Sequence, residues 1–295
     1  MPKRNSSVVG RELGEGVRHA IEQTGMTQRM LAEVLDWQEA KISDLANGKG
    51  GVNESELREL LAYCRTARDE VNRLVALHRE TRERGWLLFS MPDQPIPLQA
   101  LIDQERLAKK ITVWSLTFVP GLFQITAYIR AQLERSARVD PTDIDTLIRL
   151  KLGRQAIFNS SREFLFYIHE NALRLQVGGP EVMQTQLLHI LTMMVRPYIT
   201  VRVVPAAIGA HAGGSGPFTK LEYHKYQPVI WTEFLRTGLF LDDKESLDDY
   251  DQVLKRLDKE ALDAEESRRL ISSLEAQGGV PLVDLAQEQL QRRPQ

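Results

Sequence analysis

The chain has 295 residues, 42% of them hydrophobic and 26% charged, the balance of an ordinary soluble protein long enough to build two domains. A formal net charge of −2 excludes wholesale coating of nucleic acid or of an anionic membrane, and the single cysteine excludes an internal disulfide and any multi-cysteine metal site. No run of about twenty apolar residues is present and the opening MPKRNSSVVG lacks the hydrophobic stretch of a secretion signal, so a cytoplasmic location is expected.

Residues 1–10 read as a flexible arm, and 11–86 as a helical domain. Its first helix, over 11–24, buries Leu13, Val17, Ala20 and Ile21. The stretch TQRMLAEVLDWQEAKISDLANG, residues 27–48, then reads as two short helices joined at a corner. Thr27 is the N-cap of the first, whose Leu31, Ala32 and Leu35 share one face. Asp36-Trp37 makes the corner, where a short polar residue tolerates a left-handed backbone. The next helix starts near Gln38, buries Ile42 and Leu45, and stops at Asn47-Gly48. Small Ala32 suits a close crossing. This is the helix-turn-helix pattern, whose second helix lies in the DNA major groove. A fourth helix over 54–64 buries Leu57, Leu60 and Leu61, with Cys64 expected as a buried, inert thiol. A fifth over 67–86 carries Val71, Leu74, Val75 and His78 on one stripe.

The extended block resembles the Xre-type helix-turn-helix family related to phage repressors, which implies a lambda-repressor-like all-α fold. In that family the glutamine opening the second helix and the first residues of the third face DNA. The resemblance therefore implies Gln28, then Gln38, Glu39, Ala40, Lys41 and Ser43, with Thr27, Arg29, Asn47 and Lys49 completing the expected DNA-binding set. Gln and Lys can hydrogen-bond base edges, and Lys41, Lys49 and Arg29 can meet phosphates. Asp44 stands where relatives often have Arg, and residues 1–85 carry as many acids as bases, so binding is expected to depend on local placement and on two copies of the domain.

Pro92, Pro95 and Pro97 mark a linker over 87–98. Beyond it the periodicity is mixed. Helices are expected at 98–110, 124–135, 142–158 and 180–195, with an extended stretch ITVWSLTFVPGL from 111 that ends at Pro120-Gly121 and strands at 163–170, 200–204, 218–223, 229–234 and 238–241. Asp242 is the expected cap of a helix over 244–262, and Asp263 with Glu266 resembles a capping box opening a last helix to about 276. Residues 99–277 thus read as an α+β domain with a small, mostly antiparallel sheet, followed by a tail over 278–295.

Catalytic patterns fail their context tests. The loop GAHAGGSG, residues 209–216, precedes a strand rather than a helix and reads as a flexible connection, not a phosphate loop. His211 and Ser215 lack a nucleophile elbow, and His169-Glu170 is a strand-end pair that could line a pocket. The six histidines show no metal-ligand spacing, and the acids from Asp242 to Asp251 lack a calcium-loop pattern. No enzyme activity, cofactor or metal is expected.

The motifs VPGLFQITAYIRA (119–131), VGGPEVMQTQL (177–187), ITVRVVPAAIGAH (199–211), GPFTKLEY (216–223) and DAEESRRLI (263–271) resemble the C-terminal domain of a large actinobacterial regulator family. Its WhiJ-type and antitoxin-like members pair an Xre-type helix-turn-helix with an uncharacterised α+β domain. The resemblance implies a transcriptional regulator binding double-stranded DNA as a homodimer, with a small BldB-type protein as a partner encoded nearby. Two other readings stand beside it. One is an antitoxin-like protein that mainly sequesters its small partner. The other is a small-molecule sensor with its pocket among strands 163–170 and 199–234, where Phe164, Phe166, Tyr167, Phe218, Tyr223 and Trp231 gather.

Overall fold

A computed structural model of the chain describes residues 7–81, 86–89, 98–235 and 237–277. Most of the expected arm, most of the linker and the expected tail lie outside the described residues. The chain divides into two compact units, residues 1–87 with 225–229 and 239–247, and residues 88–224 with 230–238 and 248–295.

The first unit is built from five helices: α1 (Val8–Gln23), α2 (Gln28–Leu35), α3 (Glu39–Ala46), α4 (Glu54–Tyr63) and α5 (Arg68–Glu80). α1 starts earlier than expected. Ser7 caps it by accepting the Gly10 N–H at 3.0 Å, and Val8 and Val9 are buried, an apolar pair that an arm would leave in water. The core is formed by Leu13 and Val17 of α1, Leu31 of α2, Ile42 and Leu45 of α3, three leucines of α4 and Leu74 of α5, all essentially inaccessible to solvent. Each such side chain contributes about 2 kcal/mol of transfer free energy. Leu35, expected in this core, is only half-buried.

α1 meets the end of α3 across glycine. A Cβ built on Gly14 would stand 2.6 Å from the Ala46 carbonyl oxygen, and Gly10, one turn earlier, faces the Gly48 carbonyl just as closely. Arg18 of α1 donates to the Ala46 carbonyl, satisfying a helix-end acceptor. α4 opens with a reciprocal capping box between Asn53 and Glu56, a pairing the sequence reading did not use. The fifth helix stops short of Trp86, and Trp86–Phe89 is a strand, β1. Gly85 is a poor helix former and the run WLLF favours a strand, which accounts for the difference.

The remaining elements are α6 (Leu98–Leu107), β2 (Lys110–Ser115), α7 (Thr126–Glu134), α8 (Ile144–Gly153), β3 (Glu163–His169), α9 (Glu170–Arg174), α10 (Pro180–Met193), β4 (Ile199–Val204), β5 (Phe218–Glu222), β6 (Val229–Glu233), β7 (Thr237–Leu241), α11 (Lys244–Glu260) and α12 (Ala264–Ala276). The strands form one sheet in the order β1-β7-β6-β5-β2-β3-β4. Ile111 of β2 lies opposite Phe164 of β3 in a parallel pair, and Phe164 opposite Ile199 of β4 in another. β2 pairs antiparallel with β5, Ile111 facing Leu221. The α+β class therefore holds, with a mixed sheet in which β2, β3 and β4 run parallel and β5 runs antiparallel to β2. The reason lies in the connections: α7 and α8 carry the chain from β2 to β3, and α9 and α10 carry it from β3 to β4, crossovers long enough to return the strand in parallel.

β3 lies between β2 and the edge strand β4, with Phe164, Phe166, Tyr167, Ile168 and His169 all buried, as a strand covered on both faces requires. A satellite core of Ile129, Leu133, Ile144, Leu147 and Ile148 joins α7 to α8. The capping box of Asp263 and Glu266 opens α12 as expected. At α11 the capping acid is Asp243, which accepts the Ser246 N–H at 3.0 Å; Asp242 instead accepts the N–H of Val8 at 2.9 Å.

Candidate nucleic-acid interface

The Thr27 hydroxyl accepts the N–H of Met30 at 3.2 Å and so opens α2. At its other end Asp36 takes up the left-handed conformation, φ 53° and ψ 42°, and the next N–H, from Trp37, returns to the Ala32 carbonyl at 2.9 Å. That closure is the sharp corner the sequence calls for. The chain leaves it into Gln38, the N-cap of α3, whose side chain makes no capping hydrogen bond and is exposed with those of Glu39 and Ala40. One turn later Ile42 and Leu45 are fully buried. α3 is thus anchored by its C-terminal half and presents a polar N-terminal tip.

The ten expected DNA-facing residues fall into two groups. Thr27, Gln38, Glu39 and Ala40 are exposed, Gln28 and Ser43 are half-buried, and Asn47 is exposed but turns its amide back onto the Ser43 carbonyl at 2.7 Å. The three cations are engaged. Arg29 lies 3.4 Å from Glu33 and Lys49 3.3 Å from Asp44, both at the surface. Lys41 is held more firmly: its ammonium donates to Glu56 at 2.7 Å and stands 4.3 Å from the centroid of the Trp37 ring. The Lys41 ammonium and the Asn53 backbone N–H together hold the Glu56 carboxyl below the usual carboxylate range. Exposed pairs of this kind are worth about 0–1 kcal/mol, so Arg29 and Lys49 exchange their acids for a phosphate at small cost. Lys41 must give up both an ion pair and an aromatic face. The acid that restrains it, fifteen residues away, was visible in sequence only as the Asn53-x-x-Glu56 cap.

Elsewhere on the same unit, Arg79 and then Arg58 press the Glu54 carboxyl down to about 2, and His78 hydrogen-bonds the Val52 carbonyl at 3.0 Å as a packed histidine. Cys64 is buried and its thiol is pushed up by that burial, which keeps it protonated and inert.

In the second unit the loop 209–216, expected as a flexible connection between strands, contains one short element. Residues Ala212–Ser215 form a short 3-10 turn in which buried Gly213 lies close against the Trp114 indole, and its carbonyl accepts the indole N–H at 2.9 Å. His211 stacks on His169, ring centroids 5.0 Å apart, and each accepts a backbone N–H on Nδ1, from Gly213 and Asn171 respectively. These are structural histidines; His211 caps its own turn and His169 caps α9. The six aromatics expected to gather around a pocket are all buried. Among the described residues no group of three or more His, Cys, Asp and Glu side chains could hold a metal ion, and no described helix is long and apolar enough to cross a membrane.

Comparison with known proteins gives two family matches. A model described as a helix-turn-helix domain covers residues 12–74, and one described as a domain of unknown function (DUF5753) covers residues 98–273. No curated protein matches. Among solved structures the chain is similar to TrmBL2, an archaeal chromatin protein described as showing a novel mode of DNA binding. The identity is 10% and the TM-score 0.29, over 81% of this chain and 88% of that one, a likeness too weak to inform fold or function.

Proposed function

Because the chain belongs to the family of the domain of unknown function DUF5753, with a helix-turn-helix domain ahead of it, we propose that it is a sequence-specific DNA-binding transcriptional regulator. The observation that carries the reading is the asymmetry of α3. Ile42 and Leu45 hold its base in the core, while Gln38, Glu39 and Ala40 stand in solvent just past the left-handed corner. A helix tip with exposed polar side chains is what the major groove admits.

In this reading Gln38 reads a base edge, and Gln28 and Thr27 at the start of α2 hold the backbone beside it. Arg29 and Lys49 leave their acids for phosphates, and Lys41 buttresses the corner through Trp37 and Glu56. The protein acts as a homodimer, with recognition helices about 34 Å apart on a near-palindromic site. A single domain with balanced charge has little non-specific affinity, and two linked copies supply the rest.

Selection of genomic fragments by the purified full-length chain, followed by gel-shift titration, tests the proposal. Gln38→Ala is expected to weaken binding to the selected site by about 1–3 kcal/mol and to relax the base preference at one position of each half-site. Failure of the wild-type chain to enrich any sequence over bulk DNA contradicts the reading.

A further inference from the structure

The second unit contains an open cleft of about 600 Å³, lined by residues from α6, β2, α7, α8, β5 and β6 and from the loops next to them. Its volume falls in the range of small-molecule sites. Two features of its lining are out of balance.

The first is charge. Arg154 is held by Glu105 through Nε to Oε2 at 2.9 Å and Nη2 to Oε1 at 2.7 Å, and this pair is almost fully buried. Lys151, three residues earlier on α8, makes no hydrogen bond or ion pair with any described residue. Burial pushes its ammonium down from the ordinary lysine value; Glu233 opposes that through space and Arg154 reinforces it. The cleft thus holds three cations: Arg154 is neutralised by Glu105, Arg138 donates to the Leu235 carbonyl at 2.7 Å, and Lys151 has neither kind of contact.

The second is hydrogen bonding. Gln124 is 4% exposed, and its amide nitrogen donates to the Val119 carbonyl at 2.9 Å, which fixes the side-chain oxygen. That oxygen is buried and receives no donor, and the side-chain oxygen of Gln132 is in the same condition. Buried acceptors are rarely left unfilled. Apolar surface from Leu147 and Trp231 adjoins them.

We propose that this cleft binds a small organic monocarboxylate bearing N–H or O–H donors. Lys151 takes the carboxylate, Gln124 and Gln132 receive the donors, and Leu147 and Trp231 cover the apolar flank. A monoanion is specified because, of the three lining cations, Arg154 is paired with Glu105, Arg138 is turned to the Leu235 carbonyl and Lys151 alone is left to an anion, while Asp140, Asp143 and Glu233 also line the cleft and repel a doubly charged phosphate more than a singly charged carboxylate. The site is independent of the DNA-binding reading and stands or falls without it.

Acetic anhydride labelling of the full-length chain at about pH 8, read by mass spectrometry, tests it, with indole-3-lactate, phenyllactate, salicylate and inorganic phosphate as probes. At least one carboxylate at about 5 mM is expected to slow acetylation of Lys151 about sixfold, as a Kd near 1 mM implies, while exposed Lys244 reacts unchanged. Phosphate at that concentration leaves Lys151 unprotected. The heat of binding of the protecting carboxylate is expected to vanish in Lys151→Met and to be kept at least in part in Lys151→Arg, with both variants retaining the wild-type circular dichroism. Protection by phosphate equal to that by a carboxylate overturns the ligand class. Absence of protection by all three carboxylates, or undiminished binding in Lys151→Met, overturns the site.

Discussion

Asp36 sets the angle at which α3 leaves α2, and it does so from the left-handed region that an L-residue enters at a cost of about 1–2 kcal/mol. Short polar residues bear that cost best, glycine bears none, and a β-branched residue bears it worst. Asp36→Gly is therefore expected to leave the first unit as stable as before or up to about 1 kcal/mol more so, and Asp36→Val to cost it about 1–3 kcal/mol. Hydrogen exchange of the α2 and α3 amides in denaturant reads both. A second residue-scale prediction concerns His169, which burial first and His211 second hold below the ordinary histidine range. The folded state keeps this ring neutral, so its stability is fully present above the unfolded value near 6.5 and is lost as pH falls below it toward the depressed folded value. His169→Asn preserves an acceptor for the Asn171 N–H and removes the titration. It is expected to flatten the loss of stability between pH 6.5 and 5 by about 1.4 kcal/mol for each unit of depression, measured by urea unfolding of the second unit's sheet.

At the scale of elements, α1 and α3 approach through glycines that do not announce themselves in sequence. Gly10 and Gly14 read as weak points in a helix, yet they are where the backbone of α3's last turn comes closest. Gly14→Val is expected to overpack that contact and cost about 1–3 kcal/mol, seen as earlier unfolding of α1 and α3 in hydrogen exchange. Helices such as α2, with its Thr27 cap and apolar stripe, and α12, with its capping box, were legible because those signals are local. β1 was not, because an apolar run of four residues carries no periodicity. The parallel pairing of β2, β3 and β4 was not either, since strand direction depends on which way the crossovers return. The candidate interface divides along the same line. The placing of Gln38, Glu39 and Ala40 at the start of the third helix was implied by the family resemblance, and all three are exposed. The engagement of Lys41 with Glu56 and Trp37 is a tertiary contact and was not readable.

For the whole molecule the charge balance decides how DNA can be held. In the proposed reading, a net charge of −2 with Arg29, Lys41 and Lys49 each engaged with an acid puts the affinity in a few base contacts made twice by a homodimer. The small-molecule cleft of the second unit, whose residues differ entirely from the DNA-facing set, offers a separate input. The central claim is that the tip of α3 enters the major groove, and guanine N7 methylation interference on the selected site tests it most directly, because N7 lies on the major-groove edge. The expected result is interference at two clusters one helical turn apart, with the signal weakened at one position of each cluster in Gln38→Ala. Interference confined to minor-groove adenine N3, or a major-groove pattern that Gln38→Ala leaves unchanged, contradicts it.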